Sequence, residues 1–135
     1  MDLQGRSAIV TGGAGGLGEA TVRHLVELGV KVAVFDRAAD KAGALAEELG
    51  GNAVGVGGDI NDDDDVTAAI DAASNLGPLS IVVNVAGGAT GGWRTLSRDG
   101  TPHDKAGFID TIAMNAFGTF NVSRLAAARI SQNDP

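Results

Sequence analysis

The chain has 135 residues, a formal net charge of −7 and no cysteine, and 44% of its residues are hydrophobic. This length corresponds to one domain at most, and the lack of cysteine excludes disulfides and thiolate chemistry. The acidic charge argues against binding to nucleic acids. The sequence has no apolar run long enough for a signal peptide or a membrane span, so we expect a cytoplasmic protein without a membrane partner.

The first part of the chain alternates short apolar runs with amphipathic helices. Ser7–Thr11 predicts a buried strand, and Leu17–Leu28 has helical spacing with Gly29 as its stop. Lys31–Asp36 predicts a second buried strand. The next helix is predicted from an apolar stripe that ends at two glycines: Ala42, Leu45, Ala46 and Leu49, followed by Gly50 and Gly51.

The second part repeats the alternation. A weaker strand is predicted within residues 52–59, and a further helix is expected to be capped by Asn61. Ile81–Ala86 predicts a fourth strand, and a loop follows over Gly87–His103. The last helix is predicted as one element over Phe108–Ile130, starting near Asp104.

This order of elements predicts an α/β fold with a doubly wound parallel sheet. Strands without polar alternation, separated by helices, form parallel sheets that are covered on both faces. The expected strand order is 3-2-1-4. In that order, Ile81–Val85 is an edge strand that is apolar on both faces. We therefore expect further polypeptide or another chain to cover it.

A glycine-rich stretch, TGGAGGLG, runs from Thr11 to Gly18 between the first strand and the first helix. Glycines allow the backbone to approach a pyrophosphate, and the helix N-terminus offers unpaired N–H groups and a partial positive charge. The spacing is T-G-x-x-x-G-x-G rather than G-x-G-x-x-G. The alternative is a tight strand–helix turn without a ligand.

An acidic residue ends the second strand. Asp36 follows Gly18 by 18 residues, close to the spacing at which dinucleotide sites place a carboxylate on the adenosine ribose. A carboxylate there repels a 2′-phosphate, which favours NAD over NADP, although the adjacent Arg37 softens that repulsion. The alternative for Asp36 is a helix N-cap.

Two further segments fit the same interpretation. Asp59 and Ile60 follow the third strand, where a carboxylate and an aliphatic side chain can contact an adenine; the alternative is a cap or a turn acid. Asn84 to Gly87, with the sequence NVAG, close the fourth strand with small residues that leave room for a cofactor. The alternative is an ordinary strand end.

Together these residues resemble the short-chain dehydrogenase/reductase family, over the whole length of the chain. NAFGTFNVSRLAA and SRDGTPHD are most similar to type-2 3-hydroxyacyl-CoA dehydrogenases within it. Val85 departs from the family's N-N-A-G motif by replacing its second asparagine. The family's motifs are otherwise matched at Thr11, Gly12, Gly16, Gly18, Asp36, Asp59, Ile60, Asn84, Ala86, Gly87 and the helix asparagine Asn115.

The resemblance implies a Rossmann fold that binds NAD. It places Asp36 on the adenosine ribose, Asp59 and Ile60 at the adenine, and Asn115 at a helix kink, where it holds a water of a proton relay. The alternative for Asn115 is a helix asparagine bonded by its own backbone. The resemblance also places Gly12, Gly15, Gly16, Leu17 and Gly18 at the pyrophosphate, and Asn84, Val85, Ala86 and Gly87 around the nicotinamide-side ribose.

The family's acid–base chemistry uses a serine and a Y-x-x-x-K pair, and the chain contains no tyrosine. We therefore interpret residues 1–135 as an incomplete NAD-binding domain, the N-terminal half of an oxidoreductase, and as inactive alone. The resemblance implies that the intact enzyme is a homotetramer. The resemblance implies interconversion of a secondary alcohol and a ketone, such as a 3-hydroxyacyl-CoA. The alternative is a non-catalytic NAD-binding module or a partner-dependent fragment.

The acidic run NDDDD, from Asn61 to Asp65, fails as a calcium loop. Counted from Asp59, its sixth position is Asp64 instead of glycine and its twelfth is Ile70 instead of glutamate. Acids in a first helical turn complement the helix dipole instead, so we expect no metal. Trp93 and His103 lie in the loop before the last helix. The alternatives for Trp93 are an acyl pocket and an anchor of the loop; those for His103 are the border of a substrate pocket and, as the favoured one, a surface role.

Overall fold

The computed structural model describes residues 2–90 and 94–133. Its centre is a four-stranded parallel sheet in the order β3-β2-β1-β4, which confirms the expected doubly wound α/β fold and strand order. The strands are β1 (Ser7–Thr11), β2 (Lys31–Asp36), β3 (Ala53–Gly57) and β4 (Leu79–Asn84).

Helices connect the strands and cover the sheet. None of the helices within the described residues has the length and apolar content to cross a membrane. They are α1 (Gly16–Glu27), α2 (Ala39–Leu49), α3 (Asp63–Leu76), α4 (Lys105–Ile112) and α5 (Gly118–Ile130), with a 3-10 turn at Gly50–Asn52 and a π-helical segment at Ala113–Phe117.

The predicted last helix is confirmed, since the backbone is helical without a break from Lys105 to Ile130, but it contains a π-helical segment that the sequence analysis did not predict. The helix begins at Lys105, and the π-helical segment separates α4 from α5. Periodicity does not reveal such a segment, because it shifts the apolar stripe by only a fraction of a turn.

The two faces of the sheet bury separate clusters of apolar side chains. Successive residues of a strand point to opposite faces. Ile9 and Phe35 therefore pack on the side of α3 and α5, while Val10, Val32 and Val34 pack on the side of α1 and α2. All five are at most 1% exposed. This two-sided burial fixes the ends of the strands in space.

The carboxyl ends of three strands lie side by side. Thr11 at the end of β1 is paired with Phe35 of β2 and Asn84 of β4. The predicted fourth strand, Ile81–Ala86, is displaced by two residues from β4, which ends at Asn84. β4 ends there because the backbone N–H groups of Val85 and Ala86 donate to the side-chain hydroxyl of Thr11. β4 is an edge strand within the described sheet.

The prediction that Asn61 caps the third helix is wrong. Asp62 is the N-cap, and its carboxylate accepts hydrogen bonds from the backbone N–H groups of Asp64 (2.9 Å) and Asp65 (3.0 Å). Both residue types are good caps, so the choice depends on the turn. The Asp62 N–H donates to the carbonyl of Asp59 at 3.0 Å, and this turn brings Asp62 to the start of α3.

Candidate functional site

A cleft of about 750 Å³ opens at the carboxyl ends of the strands. This is the edge at which doubly wound sheets bind ligands, and the volume is in the range of small-molecule sites. The cleft brings together eleven of the twelve residues predicted to bind the cofactor. They are Gly12, Gly15, Gly16, Leu17, Gly18, Asp36, Asp59, Ile60, Val85, Ala86 and Gly87.

Two glycines of the turn between β1 and α1 are required by the fold itself. Gly12 has a φ of +62°, and a Cβ there would lie 2.9 Å from the backbone nitrogen and Cα of Ala86. A Cβ on Gly18 would overlap the carbonyl of Gly12 and lie 2.8 Å from the Cα of Gly13. These glycines draw the first turn of α1 against the end of β1.

Packing within the protein does not require a glycine at position 16. Apart from its chain neighbours and the backbone of α1, no atom of the described residues lies within 4 Å of a Cβ built on Gly16. It nevertheless lines the cleft as the first residue of α1. The space that a side chain would fill is therefore part of the cleft. A bare backbone there suits a ligand that approaches the helix start closely.

The N-terminus of α1 differs from those of α3 and α4. The side chains of Asp62 and Asp104 cap α3 and α4, whereas Gly15 at the N-cap of α1 offers no side-chain acceptor. Leu17 in the first turn is 74% exposed at the cleft. The first N–H groups of a helix lack intrahelical partners, so α1 presents donors and a partial positive charge to the cleft.

Asp36 links two segments of the cleft wall. Its Oδ2 accepts a hydrogen bond from the N–H of Ala14 at 3.0 Å, and its Oδ1 accepts one from the N–H of Ala38, also at 3.0 Å. The N-cap of α2 is Ala38, so the alternative that made Asp36 a helix N-cap does not hold. A carboxylate has about four acceptor sites, which leaves capacity for ligand hydroxyl groups.

Arg37 and Asp59 face each other beside Asp36. Arg37 Nε lies 3.9 Å from Asp59 Oδ2, and both side chains line the cleft. Asp59 Oδ1 accepts a hydrogen bond from the N–H of Asn61 at 2.9 Å, as the turn-acid alternative expected. The Asp59 N–H donates to Asp65 at 2.8 Å. The turn therefore holds Asp59 in place, and its Oδ2 remains directed towards Arg37.

Ile60 lies partly in the core. Its side chain is 7% exposed, and it sits directly over Gly118, where a Cβ would overlap it. Asn121 of α5 donates its side-chain N–H to the carbonyl of Ile60 at 3.0 Å. Contacts from α5 thus hold the backbone that follows β3, and only a small part of Ile60 reaches the cleft.

Thr11 has a role that the sequence motif alone did not reveal. Its hydroxyl is 3.1 Å from the backbone nitrogens of both Val85 and Ala86, and accepts a hydrogen bond from each. Thr11 is 1% exposed. It therefore fixes the exit of β4 against the glycine-rich turn. The sequence feature that pointed to Thr11 was its position at the start of the T-G-x-x-x-G-x-G pattern.

Asn84 is the predicted cofactor residue that does not line the cleft. Its side-chain amide donates to the hydroxyl of Ser123 at 3.2 Å and ties β4 to α5.

Asn115 lies in the π-helical segment and bonds to the loop after β4. Its Nδ2 donates to the carbonyls of Gly88 (2.6 Å) and Thr111 (2.7 Å), and its Oδ1 accepts from the N–H of Gly88 at 3.2 Å. The bond to Thr111 lies within the helix, as the alternative of a helix asparagine bonded by its own backbone expected. The two bonds to Gly88 connect the helix to the loop after β4. π-Helical turns occur frequently at functional sites.

The cleft also contains residues that the sequence did not single out. No local pattern marks them, because they reach the cleft from separate elements. They are Phe35, Gly58, Thr90, Asp110, Ala113 and Met114.

The remaining expectations concern Trp93 and metal binding. Trp93 lies outside the described residues. Within residues 2–90 and 94–133, no three His, Cys, Asp or Glu side chains are grouped so as to hold a metal ion.

Comparison with a family model places this geometry in a known class. Residues 6–134 match the model described as short chain dehydrogenase. The chain belongs to the short-chain dehydrogenase family. Among curated members, it is 38% identical to the 3-hydroxyacyl-CoA dehydrogenase type-2 of Drosophila melanogaster over 129 residues, and 35% identical to that of Homo sapiens over 134. These matches cover 95% and 98% of this chain but 51% of each relative.

Solved structures of short-chain dehydrogenases agree with the fold. A 3-hydroxyacyl-CoA dehydrogenase type-2 from Mycobacterium avium superposes with a TM-score of 0.94 at 48% identity, over 100% of this chain and 54% of that one. A 3-ketoacyl-(acyl-carrier-protein) reductase from Brucella melitensis, complexed with NADH, gives 0.83 at 29% identity, over 97% and 52%. The chain thus spans about half the length of its relatives.

Proposed function

We propose that the protein is an NAD-dependent oxidoreductase that interconverts a secondary alcohol and a ketone, with 3-hydroxyacyl and 3-ketoacyl thioesters as substrates. Residues 1–135 supply the dinucleotide cleft, and polypeptide outside them completes the catalytic site. The observation that carries the proposal is the combination of the open space at Gly16, the uncapped start of α1 and the carboxylate of Asp36 in one cleft.

The described residues suit the two halves of a dinucleotide. The first-turn amides of α1 would hold the pyrophosphate, because they are N–H donors without a side-chain cap. Asp36 would accept hydrogen bonds from the adenosine ribose, with Ile60 and Asp59 beside the adenine. When bound, NAD accepts the hydride from the alcohol or returns it to the ketone.

Asp36 and Arg37 favour NAD over NADP in this proposal. The Asp36 carboxylate would lie where a 2′-phosphate has to be accommodated, and like charges repel. Arg37 is the only described cation that lines the cleft, and it is directed towards Asp59. The repulsion from Asp36 therefore dominates.

Asn115 is proposed to act near the reacting end of the cleft. Its bonds to Gly88 hold the loop after β4, next to Ala86 and Gly87. In this place it would position the backbone around the nicotinamide-side ribose and a water of the proton relay. Asn115 lies in the π-helical segment, and its side chain reaches the loop from there.

The experiment is a pair of measurements on the protein expressed from its full natural reading frame. NADH and NADPH are titrated by fluorescence, and reduction of acetoacetyl-CoA is followed by NADH consumption. We expect NADH to bind more tightly than NADPH and to be consumed. NADH binding without turnover of any ketone would favour the non-catalytic module, and the lack of NADH binding would refute both.

We also propose that the intact protein is a homotetramer. Large apolar side chains on the last two helices and the segment between them are exposed, and β4 is an edge strand. Surfaces of this kind are normally covered by protein. Light scattering of the intact protein is the test, and a monomer would contradict it. The exposed apolar side chains on these helices are Phe108, Ile109, Ile112, Phe117 and Phe120.

A further inference from the structure

The cleft has one described cation in its wall, Arg37, which follows Asp36 at the end of β2. Its side chain is 75% exposed. A guanidinium binds phosphate through two parallel hydrogen bonds, and an arginine near the adenosine ribose accommodates the 2′-phosphate in dinucleotide sites that take NADP. The cleft therefore contains both a carboxylate that repels a 2′-phosphate and a side chain that is able to bind one.

Arg37 and Asp36 make separate contacts, although they are neighbours in sequence. Both oxygens of the Asp36 carboxylate accept backbone N–H groups, from Ala14 and Ala38 at 3.0 Å each. Within the described residues, the ion pair of Arg37 is with Asp59, whose Oδ2 lies 3.9 Å from Nε. Asp36 thus joins the turns that follow β1 and β2, whereas Arg37 is directed to the turn that follows β3.

Asp59 is the fixed member of this ion pair. Its Oδ1 accepts hydrogen bonds from the backbone N–H of Asn61 at 2.9 Å and from the side-chain amide of Asn61 at 3.3 Å. Its backbone N–H donates to the carboxylate of Asp65 at 2.8 Å. These bonds use Oδ1 and leave Oδ2 to the guanidinium. The turn after β3 therefore sets the position of the carboxylate, and the long side chain of Arg37 is drawn towards it.

We propose that Asp59 is a second determinant of the coenzyme preference, because it holds the Arg37 guanidinium away from the position of a 2′-phosphate and offsets its charge. The inference rests on the proposed function, which places the adenosine ribose on Asp36. Loss of the Asp59 charge frees Arg37 to bind a 2′-phosphate. Asp59 is 44% exposed, and exposed ion pairs are weak. The preference should therefore change several-fold without reversing, since Asp36 still repels the phosphate.

The test is the ratio of NADPH affinity to NADH affinity, measured by fluorescence titration of the protein from its full natural reading frame. Low ionic strength is used because salt screens exposed charges. The two coenzymes differ only by the 2′-phosphate, so a contact of Asp59 with the adenine cancels in the ratio. Asp59→Asn removes the charge and keeps an Oδ1 that accepts from Asn61. We expect this variant to raise the ratio by about threefold to fivefold.

A double-mutant cycle separates the release of Arg37 from the simple loss of a negative charge. In the Arg37→Gln background, Asp59→Asn should no longer raise the ratio. An equal rise with and without Arg37 would mean that Asp59 repels the phosphate directly, which overturns the inference. An unchanged ratio in the single variant Asp59→Asn overturns it as well.

Asp64→Asn is the matched control. Asp64 is an exposed acid in the first turn of α3 and does not line the cleft, so the same loss of charge there should leave the ratio unchanged. An equal rise in Asp64→Asn would assign the effect to net charge and overturn the inference.

The outcomes for this inference and for the proposed function are distinguishable, because the titration needs no ketone substrate. A rise in the ratio that depends on Arg37 supports the inference even if no turnover is found. A protein that prefers NADH and reduces acetoacetyl-CoA, but whose ratio does not respond to Asp59→Asn, retains the proposed function and loses the inference.

Discussion

The carboxylate of Asp36 accepts a hydrogen bond from the backbone N–H of Ala14 at 3.0 Å, across 22 residues of chain. This bond joins the end of β2 to the glycine-rich turn between β1 and α1. The residue proposed to select the ribose is therefore connected to the turn proposed to hold the pyrophosphate. The two segments of the cleft wall are thus linked, and changes to Asp36 should affect both.

Replacing Asp36 by alanine should weaken NADH binding by about tenfold to a hundredfold, because two charged hydrogen bonds to ribose hydroxyls are lost. NADPH should be weakened less, since a repulsive charge is also removed. Titration of both coenzymes measures the change in preference. Asp40→Ala removes an exposed acid of α2 that does not line the cleft, and is the matched control. Equal losses for both coenzymes would contradict the role of Asp36.

Gly16→Ala and Gly18→Ala form an informative pair. A Cβ at Gly16 meets no protein atom, so we expect unchanged stability and weaker NADH binding. A Cβ at Gly18 overlaps the Gly12 carbonyl, so we expect a loss of about 1–3 kcal/mol in the free energy of unfolding. Denaturant unfolding and NADH titration measure the two effects. If Gly16→Ala bound NADH normally, the cleft wall at α1 would not be the pyrophosphate site.

Thr11→Val should destabilise the fold. It keeps the shape of the side chain and removes the hydroxyl that accepts from Val85 and Ala86. The N–H of Val85 keeps a second acceptor, the Thr11 carbonyl at 3.3 Å, whereas that of Ala86 loses the Thr11 hydroxyl. We expect a loss of about 1 kcal/mol, which urea unfolding resolves. Thr11→Ser retains the hydroxyl and should recover most of the stability. Equal stabilities of the valine and serine variants would show that the hydroxyl is unimportant.

The start of α4 should show a defined pH dependence. The N–H groups of Gly107 and Ala106 hold the pKa of Asp104 below its usual value. A depressed pKa contributes stability above the unfolded value of about 3.9, and this contribution is lost as the pH falls through the folded pKa. Asp104→Asn can still cap but does not titrate. The Tm difference between the two proteins should be largest near neutral pH and shrink below about pH 4; a difference that is constant with pH would contradict this.

Asn115→Ala should release the loop after β4. The variant removes the amide group that bonds to both the N–H and the carbonyl of Gly88. We expect faster hydrogen exchange in that loop and lower turnover, with NADH still bound. Asn75→Ala, at the far end of α3, is a control outside the cleft. Unchanged exchange in the loop would show that Asn115 does not hold it.

The sequence by itself determined the order of elements and most of the glycine-rich and acidic part of the cleft. Apolar runs such as Lys31–Asp36 and stripes such as that of α2 are local patterns, and the structure reproduces their bounds closely. Parallel strands place their carboxyl ends on one edge, so residues that follow the strands had to meet there. This is why eleven of the predicted cofactor residues line one cleft.

Only the tertiary structure decided which side chains contact one another. Asp62 rather than Asn61 caps α3, β4 ends at Asn84, and Thr11 holds the exit of β4, because each depends on hydrogen bonds whose geometry the chain acquires on folding. Local pattern specifies elements, whereas contacts between residues distant in sequence specify sites.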